Sequence, residues 1–329
     1  MFKRVILSLT ILIIFVSFSF PKGTRIAIIP WGTDATQLGL QSGPEIEPVG
    51  PLSFAMDSSN SIYFLDTINQ RVSVFDSKGK FQKIVAEDVN GSSIAVDANS
   101  AVGLLNGTGL NIINQQGNTQ KIQISPSDDI VEGYGQHLRT SHNEITLQEG
   151  NIIFKHQYNS FYITKINQHI LKVAESMKGI VLPSGKTTIR EYDPKLNHER
   201  VSERLGIPMQ IGQYEYFLTT EWKNNQLAVV KSSSGAEYPL TTNDAFGGLQ
   251  IIGVDVSGNI YVEAERITSD NYVHLDIWKL NTDGKVIGTQ EIPNNYATTV
   301  YKKTELASDG SITQVVTTKE GVEIWKWEF

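Results

Sequence analysis

Phe54-Ala55-Met56-Asp57-Ser58-Ser59-Asn60-Ser61-Ile62-Tyr63-Phe64-Leu65 decides the fold, because the chain repeats it. Ile94-Ala95-Val96-Asp97, followed by Val102-Gly103-Leu104-Leu105, aligns with it in register, and so does Ile252-Gly253-Val254-Asp255, followed by Ile260-Tyr261-Val262. Each copy reads as an apolar strand, an Asp-led polar turn and a second apolar strand, which is the composition of a β-hairpin. Looser copies occupy 147–154, 222–229 and 306–312.

Working outward, Asp57 and Asp97 lie 40 residues apart, and Asp97 and Asp255 lie 158 apart, close to four such steps. Further polar turns, Asp76-Ser77-Lys78-Gly79, Asn114-Gln115-Gln116-Gly117 and Asn281-Thr282-Asp283-Gly284, each follow an alternating run of the kind a half-buried strand shows. Short strands at a period of about 40 to 50 residues are the signature of four-stranded propeller blades. The alternation in Gly321-Val322-Glu323-Ile324-Trp325-Lys326-Trp327-Glu328-Phe329 puts Trp325, Trp327 and Phe329 on one face of a strand.

One blade carries a more specific pattern. Ile62-Tyr63-Phe64-Leu65-Asp66-Thr67-Ile68-Asn69-Gln70-Arg71-Val72-Ser73-Val74-Phe75-Asp76, ending in Gly79-Lys80-Phe81, resembles an NHL repeat: a strand, Asp-Thr-x-Asn-x-Arg-Val, a strand, then Asp-x-x-Gly-x-Phe. The second copy departs from it, with Asn106, Gly109 and Asn111 in place of Asp66, Asn69 and Arg71. The resemblance implies an all-β fold, a six-bladed β-propeller of four-stranded antiparallel blades, with seven blades as the alternative. It also implies an interaction platform, and it makes Asp66, Asn69 and Arg71 candidates either for fixing their own hairpin or for binding a ligand. Residues 24–329 then form a single NHL-like propeller domain, its last blade closed by strand 24–31.

Between 163 and 216 the repeat is hardest to trace. Asp193-Pro194 reads as a helix start and Leu205-Gly206 as its stop, which predicts a short helical insertion over 194–205. The stretch from Trp31 to Pro51, punctuated by glycine and proline, predicts a long connection across one propeller face, either functional or a plug over the channel.

Composition narrows the function. The 329 residues are 40% hydrophobic, with 28 basic and 35 acidic residues giving a net charge of −7. That sign disfavours nucleic acid. No cysteine is present, which excludes disulfides, thiolate metal sites and a lipidated cysteine. Lys3 and Arg4 precede 16 uncharged residues from Val5 to Phe20, the order of a secretory signal. Residues 1–20 are therefore expected to be a signal peptide, with an N-terminal anchor as the alternative, and the body to be periplasmic, extracellular or on the cell surface.

Six histidines show no local metal-ligand spacing. Glu132, His137, Arg139 and His142, with Glu144 beside them, form a polar cluster on an expected connection between blades, the best candidate for a site. The repeated Asp57, Asp97 and Asp255 are expected to hold their own turns rather than a cation. The chain reads as a monomeric, non-enzymatic binding propeller for a protein, peptide or glycan, without cofactor. The alternative is a metal-dependent lyase or lactone hydrolase, with a divalent cation held on the axis by carboxylates and histidines.

Overall fold

The computed structural model describes residues 22–96, 100–106, 109–123, the strands between 136 and 222, 223–232 and 237–329. Side chains are described for 23–96, 100–106, 111–119, 121, 223–230 and 237–329. The fold is all-β, built from four-stranded antiparallel sheets in which strands adjacent in sequence pair with one another.

The 53–87 blade is the clearest. Its strands Ser53–Met56, Ile62–Asp66, Arg71–Phe75 and Phe81–Glu87 pair in chain order, and the first three are buried along their whole length. A strand covered on both faces loses the in–out alternation, which is why Arg71–Phe75 is not half-buried. The 93–123 blade (Ser93–Val96, Val102–Asn106, Gly109–Ile113, Thr119–Gln123), the 207–241 blade (Ile207–Ile211, Tyr214–Asn224, Leu227–Ser232, Glu237–Thr241) and the 245–292 blade (Ala245–Val254, Ile260–Ile267, Val273–Leu280, Val286–Ile292) follow the same order. The closing blade joins both ends of the chain: Thr304–Leu306, Ile312–Thr317 and Gly321–Glu328 are completed by Lys22–Pro30, with Pro30 opposite Gly321 and Lys22 opposite Glu328.

Packing makes this a propeller. Each apolar cluster sits between two successive sheets: Tyr238 and Leu240 with Val262 and Trp278, Tyr261 and Leu275 with Ile312 and Trp327, Val315 and Ile324 with Phe54 and Phe64, Leu65 and Val72 with Ile94 and Leu104. The first strands of successive sheets contact one another, which makes them the inner strands around the axis. Trp325 and Trp327 stack at 5.8 Å, and Phe329 meets the edge of Tyr261 at 6.0 Å, so the last strand is welded to the 245–292 blade.

The helical insertion over 194–205 does not form. His198–Leu205 is a strand paired with Lys186–Asp193, Asp193 opposite His198 and Glu191 opposite Arg200; 194–197 lie outside the described residues. Asp-Pro opens a turn as readily as a helix, and Leu196, Val201 and Leu205 are too few and too widely spaced for a helical face to bury. This hairpin belongs to a larger sheet whose strands run from Gln136 to Leu205.

Antiparallel order sorts the connections. Turns after the first and third strands of each blade gather on one side, here the turn face. Connections after the second and fourth strands gather on the other, the loop face.

Candidate functional site

The turn face is one motif repeated. At Asp57, Asp76, Asn114, Asp255 and Asn281 the side-chain oxygen accepts backbone N–H groups two and four residues on, at 2.8–3.1 Å. The residue three positions on adopts a left-handed φ: Asn60 62°, Gly79 75°, Gly117 79°, Gly258 84° and Gly284 79°. Here the aspartates act as turn acceptors. Tyr63 and Tyr261 add a phenol donor to Asp57 and Asp255, at 3.2 and 3.1 Å. Burial, then the Asp57 charge, push the Tyr63 hydroxyl up to about 12. Asp97 lies outside the described residues.

On the loop face the Trp31–Pro51 connection is strapped down by the residues of the NHL-like motif. Asp66 is fully buried and accepts from Gly39 N (3.0 Å), Asn69 N (3.3 Å), Asn69 Nδ2 (2.8 Å) and Arg71 Nε (3.2 Å). Arg71 then donates to three carbonyls of the strap: Thr33 at 3.2 Å, Asp34 at 2.7 Å and Gln37 at 2.8 Å. Asn69 Nδ2 also reaches the Gly32 carbonyl at 2.9 Å. The charges of Asp66 and Arg71 are thus paired with each other, and four of the five Arg71 N–H groups are engaged, three of them on the strap. Beyond the strap, a short ribbon, Gln41–Gly43 paired with Ile46–Val49, stands exposed and carries Glu45 and Glu47.

A second ionic centre supports the loops of the 245–292 blade. Arg266 bridges Asp276 (2.8 Å), Asp244 (2.5 Å) and Glu291 (3.2 Å). The Asp276 hydrogen bond, aided by Asp244 and outweighing burial, raises the guanidinium pKa further, so Arg266 remains charged. His274 Nδ1 lies 2.8 Å from Glu291, and the exposed Tyr272 ring meets His274 edge-on at 4.8 Å. Two clefts flank this centre. One of about 790 Å³ runs between Asn224–Gln226, Asn243–Ala245 and Ile267–Ser269 with Asn271; the other, about 240 Å³, lies between Tyr272–His274 and Glu291–Asn295. The main chains of Asn225, Asn243 and Asn271 are hydrogen-bonded, but among the described residues their side-chain carboxamides make no hydrogen bond and are available to a ligand.

Near the axis, Lys302 is fully buried, donates to the Ile94 carbonyl at 2.9 Å and lies 3.3 Å from Glu305, with its ammonium 5.8 Å from the Phe54 ring centroid. A fixed cation thus stands among the inner strands of three blades. Among the described residues no three His, Asp or Glu side chains converge in metal-holding geometry.

The cluster expected around Glu132 is placed only in part. His137 and Arg139 fall in strand Gln136–Ser141, paired with Glu144–Glu149, and not on a connection between blades. Glu132 and His142 lie outside the described residues. The Arg266 centre escaped the sequence reading because its acids lie 10, 22 and 25 residues away and meet it only across strands. One signal was there: Arg266 is the single basic residue between Lys231 and Lys279, in a stretch rich in acids.

No known protein family and no curated protein matches the sequence. Solved structures of β-propeller-type proteins are similar in fold. Streptogramin B lyase is 13% identical with a TM-score of 0.44, covering 86% of this chain and 95% of that one. YCF48 bound to D1 peptide is 10% identical, TM-score 0.44, covering 95% and 98%. BBS1N in complex with ARL6DN is 9% identical, TM-score 0.45, covering 82% and 87%.

Proposed function

We propose that the chain is an exported, non-enzymatic propeller of the NHL-repeat type that holds a protein or peptide partner on its loop face. The observation that carries this reading is the preorganisation of that face. Two buried or half-buried arginines, Arg71 and Arg266, fix its connections through seven contacts to carbonyls and carboxylates, and the clefts open beside one of them. Loops held in their bound shape lose little entropy on association, which favours recognition by rigid loops on a scaffold. On the turn face the Asp and Asn that lead the turns are engaged by their own backbones. Near the axis, where a metal-dependent enzyme would gather carboxylates, the buried Lys302 ammonium already faces Glu305.

Site-specific photo-crosslinking in the producing cell tests this reading. A photoreactive residue at Ile46 or Tyr272 on the loop face is expected to give a discrete protein adduct, and one at Val256 on the turn face none. Adducts at Val256 alone, or at no position, would contradict it.

A further inference from the structure

The two faces differ in charge as well as in architecture. Two turns on one face set lysines beside acids, Asp76-Ser77-Lys78-Gly79-Lys80 and Asn281-Thr282-Asp283-Gly284-Lys285, while those led by Asp57, Asn114 and Asp255 carry no lysine. Three of the stretches that feed the loop face carry no Lys or Arg, those between Arg25 and Arg71, Lys231 and Arg266, and Lys285 and Lys302; Lys319 in the 318–320 connection and Lys303, 3.2 Å from Asn294 and 3.6 Å from Glu265, are bases that do reach it among the described residues. What these stretches bring there includes Glu45 and Glu47 on the ribbon and Asp244 and Glu291 at the clefts, and Asp270 joins them from the connection that follows Arg266. Arg266 carries one positive charge against the three carboxylates it bridges, so the centre keeps an excess of negative charge although every carboxylate is engaged. A low-dielectric wall behind such a cleft strengthens its field and raises the local concentration of oppositely charged ligand.

Three further features specify the occupant. The larger cleft is lined by free carboxamides, Asn225, Asn243 and Asn271, which both donate and accept and so match the alternating N–H and C=O of an extended backbone. The smaller cleft, next along the same loop, carries Tyr272, 56% exposed and in an edge contact with His274, a platform for a cation. Glu291, whose side chain is 54% exposed, meets the same imidazole at Nδ1, 2.8 Å away, and keeps its other oxygen on Arg266. A guanidinium seated on Tyr272 would have this carboxylate within its reach.

Resting on the loop face being the working face, we infer that the cleft beside Arg266 takes an extended, Arg- or Lys-rich segment of a partner protein. Its backbone is read by the free amides, and a cationic side chain is held between Tyr272 and Glu291. A neutral glycan would use the amides and leave the charge asymmetry without a role; an anionic glycan would be repelled.

The test uses the purified mature chain and a fluorescein-labelled octapeptide of alternating Arg and Gly, with the Gln-Gly octapeptide and maltohexaose as comparisons, read by fluorescence anisotropy and calorimetry. The Arg-Gly peptide is expected to bind, the Gln-Gly peptide and maltohexaose not, and affinity is expected to fall as NaCl rises from about 50 to about 300 mM, as screening requires. Tyr272→Ala should weaken binding about 2- to 5-fold, and Glu291→Gln by a similar factor. Both side chains are exposed, so both variants should stay folded, and Asp283→Asn on the turn face should bind as the parent does. Binding of maltohexaose in place of the Arg-Gly peptide, or peptide affinity unchanged by Tyr272→Ala and Glu291→Gln, overturns the inference. Crosslinked adducts at Ile46 and Tyr272 together with no affinity for the Arg-Gly peptide would overturn the inference alone and leave the wider reading standing.

Discussion

Arg71 shows how much one side chain can organise. It is nearly buried, ion-paired to a fully buried Asp66 and bonded to three carbonyls of the strap, those of Thr33, Asp34 and Gln37. Breaking a buried pair from one side leaves a charge without compensation, so Arg71→Met should lower the unfolding free energy by about 3–5 kcal/mol in urea titrations. Arg71→Lys should also destabilise, because a single ammonium cannot reproduce the fork. A loss below about 1 kcal/mol for Arg71→Met would mean that the strap is held by something else. On the turn face, burial pushes the Asp309 carboxyl up, but Lys326 at 2.7 Å and the Ser311 donors outweigh it and bring it down to about 2. A carboxyl depressed in the folded state stabilises above its unfolded pKa and loses that contribution as pH falls from about 4 towards 2. Asp309→Asn, which keeps an oxygen for the Ser311 N–H, should therefore cost no more than about 1 kcal/mol at pH 7, since the pair is partly exposed, and nothing at pH 2. An equal cost at both pH values would assign the effect to the turn instead of the charge.

Among the elements, the turns were the legible part of the sequence. Asp or Asn followed three positions later by Gly or Asn is written into five of them, and the backbone conformations and hydrogen bonds follow from those residue types. Their neighbours were not legible, yet they set the energetics. A side chain at Gly117 would meet nothing within 4 Å, whereas one at Gly284 would run into the Tyr238 ring of the preceding blade. Gly117→Ala should cost about 1–2 kcal/mol for the left-handed backbone alone, and Gly284→Ala clearly more, as differential scanning calorimetry would show; equal costs would mean that Tyr238 moves aside freely. The His198–Leu205 strand carries the sequence cues of a helix because Asp-Pro and a distant Gly serve helices and hairpins alike, and only cross-strand register separates them. Likewise Asp66, Asn69 and Arg71 were visible as a motif, but not that they face the strap, because Gly32, Thr33, Asp34 and Gln37 lie more than 30 residues earlier.

For the molecule as a whole, pairing of the two chain ends removes edges that would otherwise be open to association. Deleting residues 22–30 would bare the Gly321–Glu328 strand and uncover Trp325, Val322 and Ile324. The shortened chain should aggregate in light scattering at concentrations where the parent stays dispersed; a dispersed, folded product would show that the ring does not need this strand. The same economy shapes the loop face, whose long connection, ribbon and clefts are held by ionic anchors instead of being left to order on binding. Hydrogen–deuterium exchange of the unliganded mature protein tests that claim most directly. The amides of Gly32, Gln37, Leu38 and Gly39 should exchange as slowly as those of strands Ile62–Asp66 and Arg71–Phe75, and Arg71→Met should release them while the turn face keeps its protection. Exchange of the four amides at the rate of an exposed loop in the parent protein would contradict it.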